Sequence, residues 1–488
     1  MKYIIEGYEP QAFFRHFEEL CAIPHGSSDE KAISDFLMRF AEERGLEAYQ
    51  DEIWNVVIKR PGSKGCESLE PVILQGHLDM VCEKNEGTSH DFTQDGLKLA
   101  VKDGWLYAEG TTLGGDDGAA VAMMMALLED ESLICPPLEC VFTVQEETGL
   151  AGARQINPDW IRGRHMINLD SEAEGIGTVS CAGGMLVRMK RLCRWEESGW
   201  TGVQLKLTGL AGGHSGADIH LERGNANKLI GRLLGALADE IPVRLVSLQG
   251  GNKDNAIPRE ASAEAAVPAA HSEEAQNLLR READAITQEL AQSEPGFHLE
   301  LISCSPARMM DEEATRDILN LLAVAPNGVL SRNLQAGGFV ISSTNLGVIS
   351  TGEDGIHFTF SPRSSVSSEQ EQTKRIFRRL ADMTHCEILI EGEYPGWSYA
   401  PTSRIREVFC ESYRELTGKE PVCEAIHAGL ECGLFSEKLP GLDAIAIGPN
   451  LQDIHTPQER MDLASCTRTL ALVRRMLEKL AGQADANS

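Results

Sequence analysis

The sequence predicts an α/β protein whose mostly parallel sheet is flanked by helices and interrupted by an inserted α+β domain. Short apolar segments alternate with segments of helical spacing over residues 1–187, and the same pattern recurs over residues 396–488. Residues 188–395 have a different sequence pattern, which predicts further strands and a long polar helix. We therefore expect one domain built from both ends of the chain, with a second domain inserted between them.

The first part of the chain supplies most of the predicted sheet. Helical spacing predicts helices over residues 10–23 and 28–44, and residues 27–30 offer hydroxyl and carboxylate caps to the second helix. Apolar runs predict buried strands over residues 72–75, 138–144 and 165–169, with a helix over residues 118–128. Ligands of such a sheet gather at the carboxyl ends of its strands, so we expect the chemistry there.

The remaining elements complete the two predicted domains. In the insert, a strand over residues 203–207 ends in a glycine-rich loop at 210–216, and helices follow over 222–240 and 273–292. The last part returns to an apolar strand over 444–447 and a long helix over 459–480.

Composition and charge narrow the function classes. The 488 residues carry 45 Lys and Arg against 74 Asp and Glu, a formal net charge of -29 that repels nucleic acid and anionic membranes. The 13 cysteines are scattered without a Cys-x-x-Cys pair, and we see neither a signal peptide nor a membrane-spanning run. We expect a cytoplasmic protein whose metal, if any, is held by oxygen and imidazole ligands.

Four short motifs fall where predicted strands end or a helix begins. The sequence offers His77 and Asp79 in Gln-Gly-His-Leu-Asp, Asp116 in Gly-Gly-Asp-Asp-Gly, the pair Glu146 and Glu147, and Asp170 in Asn-Leu-Asp-Ser-Glu. His455 stands much later, in Asp-Ile-His-Thr-Pro-Gln-Glu. Each motif alone has an ordinary structural explanation, such as a loop residue or a solvated surface acid. Adjacent carboxylates at the end of a buried strand are costly, however, unless a cation lies beside them.

Together these motifs predict a metal site with more than one ion. Mixed imidazole and carboxylate ligands suit zinc, with manganese or cobalt as substitutes. Five ligands exceed the need of one catalytic zinc with an open position, so we expect two ions bridged by one carboxylate. A phosphate-binding loop is excluded because no Lys-Ser, Lys-Thr or Gly-x-Gly-x-x-Gly accompanies the glycine-rich turn. Asp117, next to Asp116, is interpreted as the cap of the following helix.

The complete set of motifs resembles the dipeptidase branch of the aminoacylase and carboxypeptidase superfamily of dinuclear zinc peptidases. The likeness runs over essentially the whole chain and includes the loop Gly-Gly-His-Ser-Gly at 212–216. It implies a zinc-peptidase fold in which residues 188–395 form a lid domain. It also implies hydrolysis of unblocked dipeptides, favouring Xaa-His, within a single chain or a homodimer joined through the lid.

The resemblance assigns the roles within the metal site. Asp116 would bridge the two ions, His77 and Asp170 would hold one of them, and Glu147 and His455 would hold the other. Asp79 would orient His77. Glu146 would be the general base that takes a proton from a water bridging the ions. A cis peptide bond after Asp116 is also implied.

Further residues are implied to contact the substrate. His214 would stabilise the oxyanion, in its own subunit or across a dimer, and Asn255 would lie near the substrate. Arg363 would bind the free carboxylate of the peptide, since a guanidinium suits a carboxylate. Glu431 could meet the substrate amine or cap the helix that follows it. Without the resemblance, each of these four would be interpreted as a turn, surface or cap residue.

Two groups of alternatives stay open at the level of sequence. A tripeptidase, an aminoacylase or a carboxypeptidase of the same superfamily would carry the same metal site. A non-catalytic protein that keeps its metals for stability is a different class. Glu146 argues against it, because a purely structural site needs no base.

Overall fold

The structure, a computed structural model, describes residues 3–482. Contacts divide these residues into two compact units. Unit 1 contains the residues up to Ser180, Tyr399–Ala425 and those from Leu430 onward, whereas unit 2 contains Cys181–Ser398 and Ile426–Gly429. Among the described residues, no helix has both the length and the apolar character needed to cross a membrane.

Unit 1 is an α/β unit. Its helices are α1 (Gln11–Cys21), α2 (Lys31–Glu43), α3 (Gly115–Glu129), α4 (Ala151–Gln155), α9 (Arg404–Thr417), α10 (Glu431–Lys438) and α11 (Leu463–Leu480). Its strands are β1 (Glu47–Gln50), β2 (Val56–Arg60), β3 (Val72–His77), β4 (Leu99–Lys102), β5 (Trp105–Ala108), β6 (Leu138–Thr143), β7 (His165–Asn168), β8 (Ile176–Cys181), β24 (Val422–Ile426), β25 (Asp443–Ala446), β26 (Leu451–Gln452) and β27 (Arg460–Asp462).

The main sheet of unit 1 confirms the predicted fold class. Its eight strands run in the order β1-β2-β6-β3-β7-β25-β8-β24. The four neighbours β6, β3, β7 and β25 are parallel, and every residue of β3 and β6 is buried. The continuous apolar segments thus become strands covered on both faces, as parallel sheets require. Their carboxyl ends lie at one edge of the sheet.

Unit 2 is the α+β unit. Its helices are α5 (Ala226–Glu240), α6 (Ser272–Glu289), α7 (Glu312–Val324) and α8 (Ser367–Met383). Its strands are β9 (Gly183–Leu192), β10 (Trp195–Glu197), β11 (Thr201–Thr208), β12 (Gly213–His214), β13 (Arg244–Gly250), β14 (Ala256–Ile257), β15 (Ala261–Val267), β16 (His298–Cys304), β17 (Arg308–Met310), β18 (Gly328–Asn333), β19 (Phe339–Thr344), β20 (Leu346–Thr351), β21 (Gly355–Phe360), β22 (Arg363–Ser364) and β23 (Glu387–Tyr394). An eleven-stranded sheet, antiparallel in its pairings, carries the core of this unit.

Three helices begin several residues later than predicted. α2 begins at Lys31 and no side chain of residues 27–30 caps it. α5 begins at Ala226 because the side chain of Asn225 accepts a hydrogen bond from the backbone N–H of Lys228. α11 begins at Leu463, since residues 460–462 pair with β5 and Asp462 caps the helix. For α5 and α11 a capping hydrogen bond, rather than hydrophobic spacing, sets the start.

Candidate dinuclear metal site

Five predicted ligands converge at the carboxyl edge of the main sheet of unit 1. His77 ends β3, Asp116 lies in the turn that begins α3, Glu147 follows β6, Asp170 follows β7 and His455 lies between β26 and β27. Their ligand atoms form two groups, His77 with Asp116 and Asp170, and Asp116 with Glu147 and His455. Within each group these atoms all lie within 4.8 Å of one another. The two groups share Asp116.

The two oxygens of Asp116 face different histidines. Oδ1 lies 3.0 Å from Nε2 of His77, and Oδ2 lies 3.1 Å from Nε2 of His455. Oε1 of Glu147 lies 2.9 Å from the same nitrogen of His455, and Oδ1 of Asp170 lies 3.9 Å from Nε2 of His77. A carboxylate that presents one oxygen to each of two ligand groups is suited to bridging two cations. The residues present therefore fit a dinuclear divalent-metal site.

The carboxylates of the cluster repel one another, which also indicates a site for cations. Burial, followed by the charges of Asp117, Asp116 and Glu146, raises the pKa of Asp170 well above its usual range. Burial also opposes ionisation of Asp116, but hydrogen bonds from His455 and His77 outweigh it and lower its pKa. Several carboxylates so close together repel one another in a region of low dielectric, and divalent cations would offset that repulsion.

Glu146 differs from Glu147 in its contacts. Among the described residues, no hydrogen bond reaches the carboxylate of Glu146, whereas that of Glu147 faces His455. Burial and the nearby charges of Glu431, Glu147 and Asp116 raise the pKa of Glu146 to about 8, despite the opposing effect of His77. Glu146 also lies within ligand distance of His77. Geometry alone thus allows it to act as a base or as a ligand.

Asp79 contacts His77 through its backbone carbonyl and the Glu146–Glu147 turn through its side-chain carboxylate. Its carbonyl oxygen lies 2.9 Å from Nδ1 of His77, whereas its carboxylate lies 3.5 Å away. The carboxylate accepts hydrogen bonds from the backbone N–H groups of Glu146 and Glu147 and from the hydroxyl of Ser27. One residue therefore holds both the ring of His77 and the turn that carries the Glu-Glu pair.

The first turn of α3 differs from the sequence interpretation at Asp117. The predicted helix cap is wrong, because no N–H of α3 donates to the side chain of Asp117. Its Oδ2 instead accepts the backbone N–H of His77 at 3.2 Å, and the side chain is buried. The cis peptide bond between Asp116 and Asp117 is confirmed.

Glu459 is a supporting residue that the sequence reasoning missed. Its carboxylate accepts hydrogen bonds from the backbone N–H groups of Leu113, Gly114, Gly115 and Asp116, at 2.7 to 3.3 Å. The available signal was its place at the end of the His-Thr-Pro-Gln-Glu motif, which was interpreted only as a helix start. Glu459 fixes the turn that presents Asp116, and four donors to one carboxylate make a strong anchor.

Glu431 lies inside unit 1. It is the first residue of α10, its side chain has no exposed surface, and Gln75 and Thr143 donate to its Oε2 at 2.5 and 2.6 Å. The predicted helix cap is wrong, since its side chain caps nothing. Burial, opposed by the Thr143 hydrogen bond, raises its pKa to about 7. A contact with a substrate amine is not favoured by this position, because Gln75 and Thr143 hold the group within the unit.

In unit 2 the structure brings His214, Asn255 and Arg363 to one loop region. His214 pairs with Ala256 across β12 and β14, and the carbonyl of Asn255 accepts the N–H of Ser215. A Cβ placed on Gly216 would lie 3.1 Å from Cε1 of His214 and 3.3 Å from Cζ of Arg363. These three predicted residues thus gather around the loop at 212–216.

The imidazole of His214 is set up as a hydrogen-bond donor. Its Nδ1 accepts the backbone N–H groups of Gly216 and Ala217, at 3.2 and 2.9 Å. Burial and the charge of Arg363 lower its pKa, against the effect of Asp218. A neutral ring that accepts at Nδ1 carries its proton at Nε2, so Nε2–H is the group available to a ligand.

A further candidate ligand group lies in unit 2, at Glu313, Asp317 and His385. Nη2 of Arg191 already lies 2.8 Å from Oδ2 of Asp317. The guanidinium neutralises the central carboxylate, so this group does not fit a divalent cation as the unit 1 cluster does.

Comparison with known proteins identifies the family of the chain. Residues 73–479 match the family described as Peptidase family M20/M25/M40. The chain is 35% identical to the cytosol non-specific dipeptidase of Escherichia coli K12 over 474 residues, which cover 96% of this chain and 98% of that protein. It is also 35% identical to the aminoacylhistidine dipeptidase of Vibrio alginolyticus, whose crystal structure matches with a TM-score of 0.95 over 98% of each chain.

A more distant structure shares the fold. The aminopeptidase PepT of Bacillus cereus matches with a TM-score of 0.56 at 16% identity, over 97% of this chain and 99% of that one. The fold and the dinuclear cluster define a metallopeptidase. The chain belongs to peptidase family M20/M25/M40.

Proposed function

We propose that this peptidase hydrolyses unblocked dipeptides, with those ending in histidine favoured, and that it uses two zinc ions. The observation that carries the proposal is the sharing of Asp116 between two ligand groups beside the unengaged carboxylate of Glu146. The similarity over nearly the whole chain to two proteins named as dipeptidases supports the substrate class.

The ligands divide between two positions. His77 and Asp170 would hold one ion and Glu147 and His455 the other, with Asp116 shared between the two ligand groups. Zinc suits this set of imidazole and carboxylate ligands, and manganese or cobalt can substitute. Ions held there would supply Lewis acidity, which would polarise the scissile carbonyl and make a water more acidic.

Glu146 moves the proton. Its carboxylate accepts a proton from the attacking water and then donates it to the leaving amine. Glu147, one residue later, is committed to His455 and is unsuited to this role. Asp79 keeps both glutamates in place through their backbone N–H groups.

The loop region of unit 2 contributes groups that recognise the peptide. His214 donates its Nε2–H to the oxyanion that forms at the scissile carbonyl. Arg363, whose Nη1 donates to the hydroxyl of Tyr394 at 3.1 Å, binds the carboxylate of the substrate, and Asn255 contacts the peptide nearby. An unblocked dipeptide offers both groups, the scissile carbonyl and the free carboxylate.

A substrate panel with and without metal tests the proposal. Purified enzyme is assayed on Xaa-His dipeptides, beta-alanyl-histidine, other dipeptides, tripeptides and acyl amino acids. We expect cleavage of dipeptides, fastest when histidine is second, with loss on chelation and recovery on adding zinc. Equal rates on all dipeptides would overturn the histidine preference, and cleavage confined to tripeptides or acyl amino acids would overturn the dipeptidase assignment.

Two further properties belong to the same proposal. We place the enzyme in the cytoplasm, where a chain with reduced cysteines is stable. A homodimer joined through unit 2 is proposed as the assembly. Light scattering on purified protein, repeated with unit 2 surface variants, tests the dimer.

A further inference from the structure

Two cysteines of unit 1 lie side by side at its surface. Sγ of Cys410, on α9, lies 3.8 Å from Sγ of Cys423, on β24. The two thiols are within hydrogen-bonding distance of each other, and both cysteines are free. Cys423 is exposed and Cys410 is partly exposed, so small reagents can reach both thiols. Sequence reasoning treated all cysteines as isolated.

The surroundings of Cys410 favour its thiolate. The hydrogen bond from Cys423, together with the charges of Arg414 and Arg406, outweighs burial and lowers the pKa of Cys410 to about 7. The same interaction raises the pKa of Cys423. A thiolate that is accessible beside a second thiol has the arrangement of a nucleophile with its resolving partner.

The two elements allow the sulfurs to meet. A disulfide needs a separation of about 2.05 Å between sulfurs, so the sulfurs must approach by less than 2 Å. Rotation about the side-chain bonds of two surface residues supplies movements of this size. β24 is the edge strand of the eight-stranded sheet, and a short turn that includes Gly418 joins it to α9.

We propose that Cys410 and Cys423 form a reversible intramolecular disulfide when the protein meets a peroxide. The thiolate of Cys410 attacks one oxygen of hydrogen peroxide, which breaks the O–O bond and gives a sulfenic acid and hydroxide. Cys423 then attacks that sulfur and expels the hydroxyl group as water, forming the S–S bond. Two thiols lose two electrons and two protons, and one peroxide becomes two waters.

The test is oxidation of the reduced, full-length enzyme with a small excess of hydrogen peroxide. Free thiols are counted under denaturing conditions, and the linkage is mapped by mass spectrometry of non-reduced peptides. We expect the loss of two thiols, one peptide pair joining Cys410 to Cys423, and full recovery with a phosphine reductant. The absence of that peptide pair after oxidation would overturn the proposal.

Variants distinguish the oxidation of Cys410 and Cys423 from general oxidation of the other cysteines. Cys423→Ser should leave a sulfenic acid on Cys410 that dimedone traps, and Cys410→Ser should abolish the fast loss of thiols. Cys82→Ser is the matched control. Cys82 is an exposed residue, but partial burial of its thiol and nearby acidic residues raise its pKa to about 11. This variant should behave like the wild type. Equal thiol loss in Cys410→Ser and wild type, with both proteins folded by circular dichroism, would contradict the assigned nucleophile.

Discussion

The carboxylate of Glu459 accepts the backbone N–H of Asp116, the residue whose two oxygens face His77 and His455. The same carboxylate holds the three preceding N–H groups of the turn. The position of the shared ligand therefore depends on a residue more than three hundred positions later in the chain. The local sequence around either residue does not show that the two are in contact.

Removing this anchor should weaken the metal site. Glu459→Ala leaves three buried N–H groups and the partly buried N–H of Asp116 without their acceptor. The turn should therefore shift, and Asp116 should lose its position between the two ligand groups. We expect activity and metal affinity to fall by about 10- to 100-fold, measured by kinetics and by metal titration. Gln458→Ala, at the exposed neighbouring residue, is the control. A Glu459→Ala protein with wild-type metal affinity would contradict this role.

The Glu-Glu pair should divide into a base and a ligand. Glu146→Gln keeps the shape of the side chain but cannot accept a proton, so we expect two bound ions and a kcat lower by about 10² to 10⁴. Glu147→Ala should lose one ion as well as activity, because His455 and Asp116 would lack their partner. Metal content by mass spectrometry and steady-state kinetics distinguish the two. A fully active Glu146→Gln enzyme would exclude Glu146 as the base.

The sequence predicts the frame of unit 1 well, for a physical reason. β3, β6 and β7 are continuous apolar segments because both of their faces are buried, and such segments are visible without any tertiary information. The acids and the histidine that end these strands then share one edge by topology. That edge is where the structure places the cluster.

Contacts that depend on the path of the folded backbone could not be predicted from the sequence. Asp117 was interpreted as a cap from its place before a helix, but the turn rotates it toward the N–H of His77. Glu431 was expected to meet a substrate amine or cap a helix, yet its carboxylate is buried and accepts hydrogen bonds from Gln75 on β3 and Thr143 on β6. The thiols of Cys410 and Cys423 meet only because an edge strand returns beside α9. Pairings of this kind arise from topology, which local pattern does not encode.

The loop at 212–216 should tolerate no side chain at Gly216. A Cβ there would lie 2.3 Å from the carbonyl oxygen of His427 and close to His214 and Arg363. Because the first contact is with backbone, Gly216→Ala must displace the loop, and we expect kcat/KM to fall by at least about tenfold. The control is Gly235→Ala in α5, where nothing lies within 4 Å. That change should leave activity intact and raise stability by about 0.5–1 kcal/mol.

His427 should make unit 2 sensitive to acid. Burial and the charge of Arg363 lower its pKa to about 3 in the folded protein, although the carbonyl of Val340 opposes the shift, and its ordinary value is 6.5. Between these values the unfolded chain binds more protons than the folded one, so stability from this group is present above pH 6.5 and is lost as the pH falls toward 3.

Replacing His427 tests this dependence directly. His427→Gln removes the titrating ring and can still hydrogen bond to the hydroxyl of Ser343, which lies 2.7 Å from Nε2 of His427. Melting temperatures of both proteins are measured at intervals from pH 7.5 down to pH 4.5. We expect the wild type to lose stability more steeply than His427→Gln over this range, because only its unfolded state gains a proton at residue 427. Parallel curves would show that His427 binds protons equally in both states.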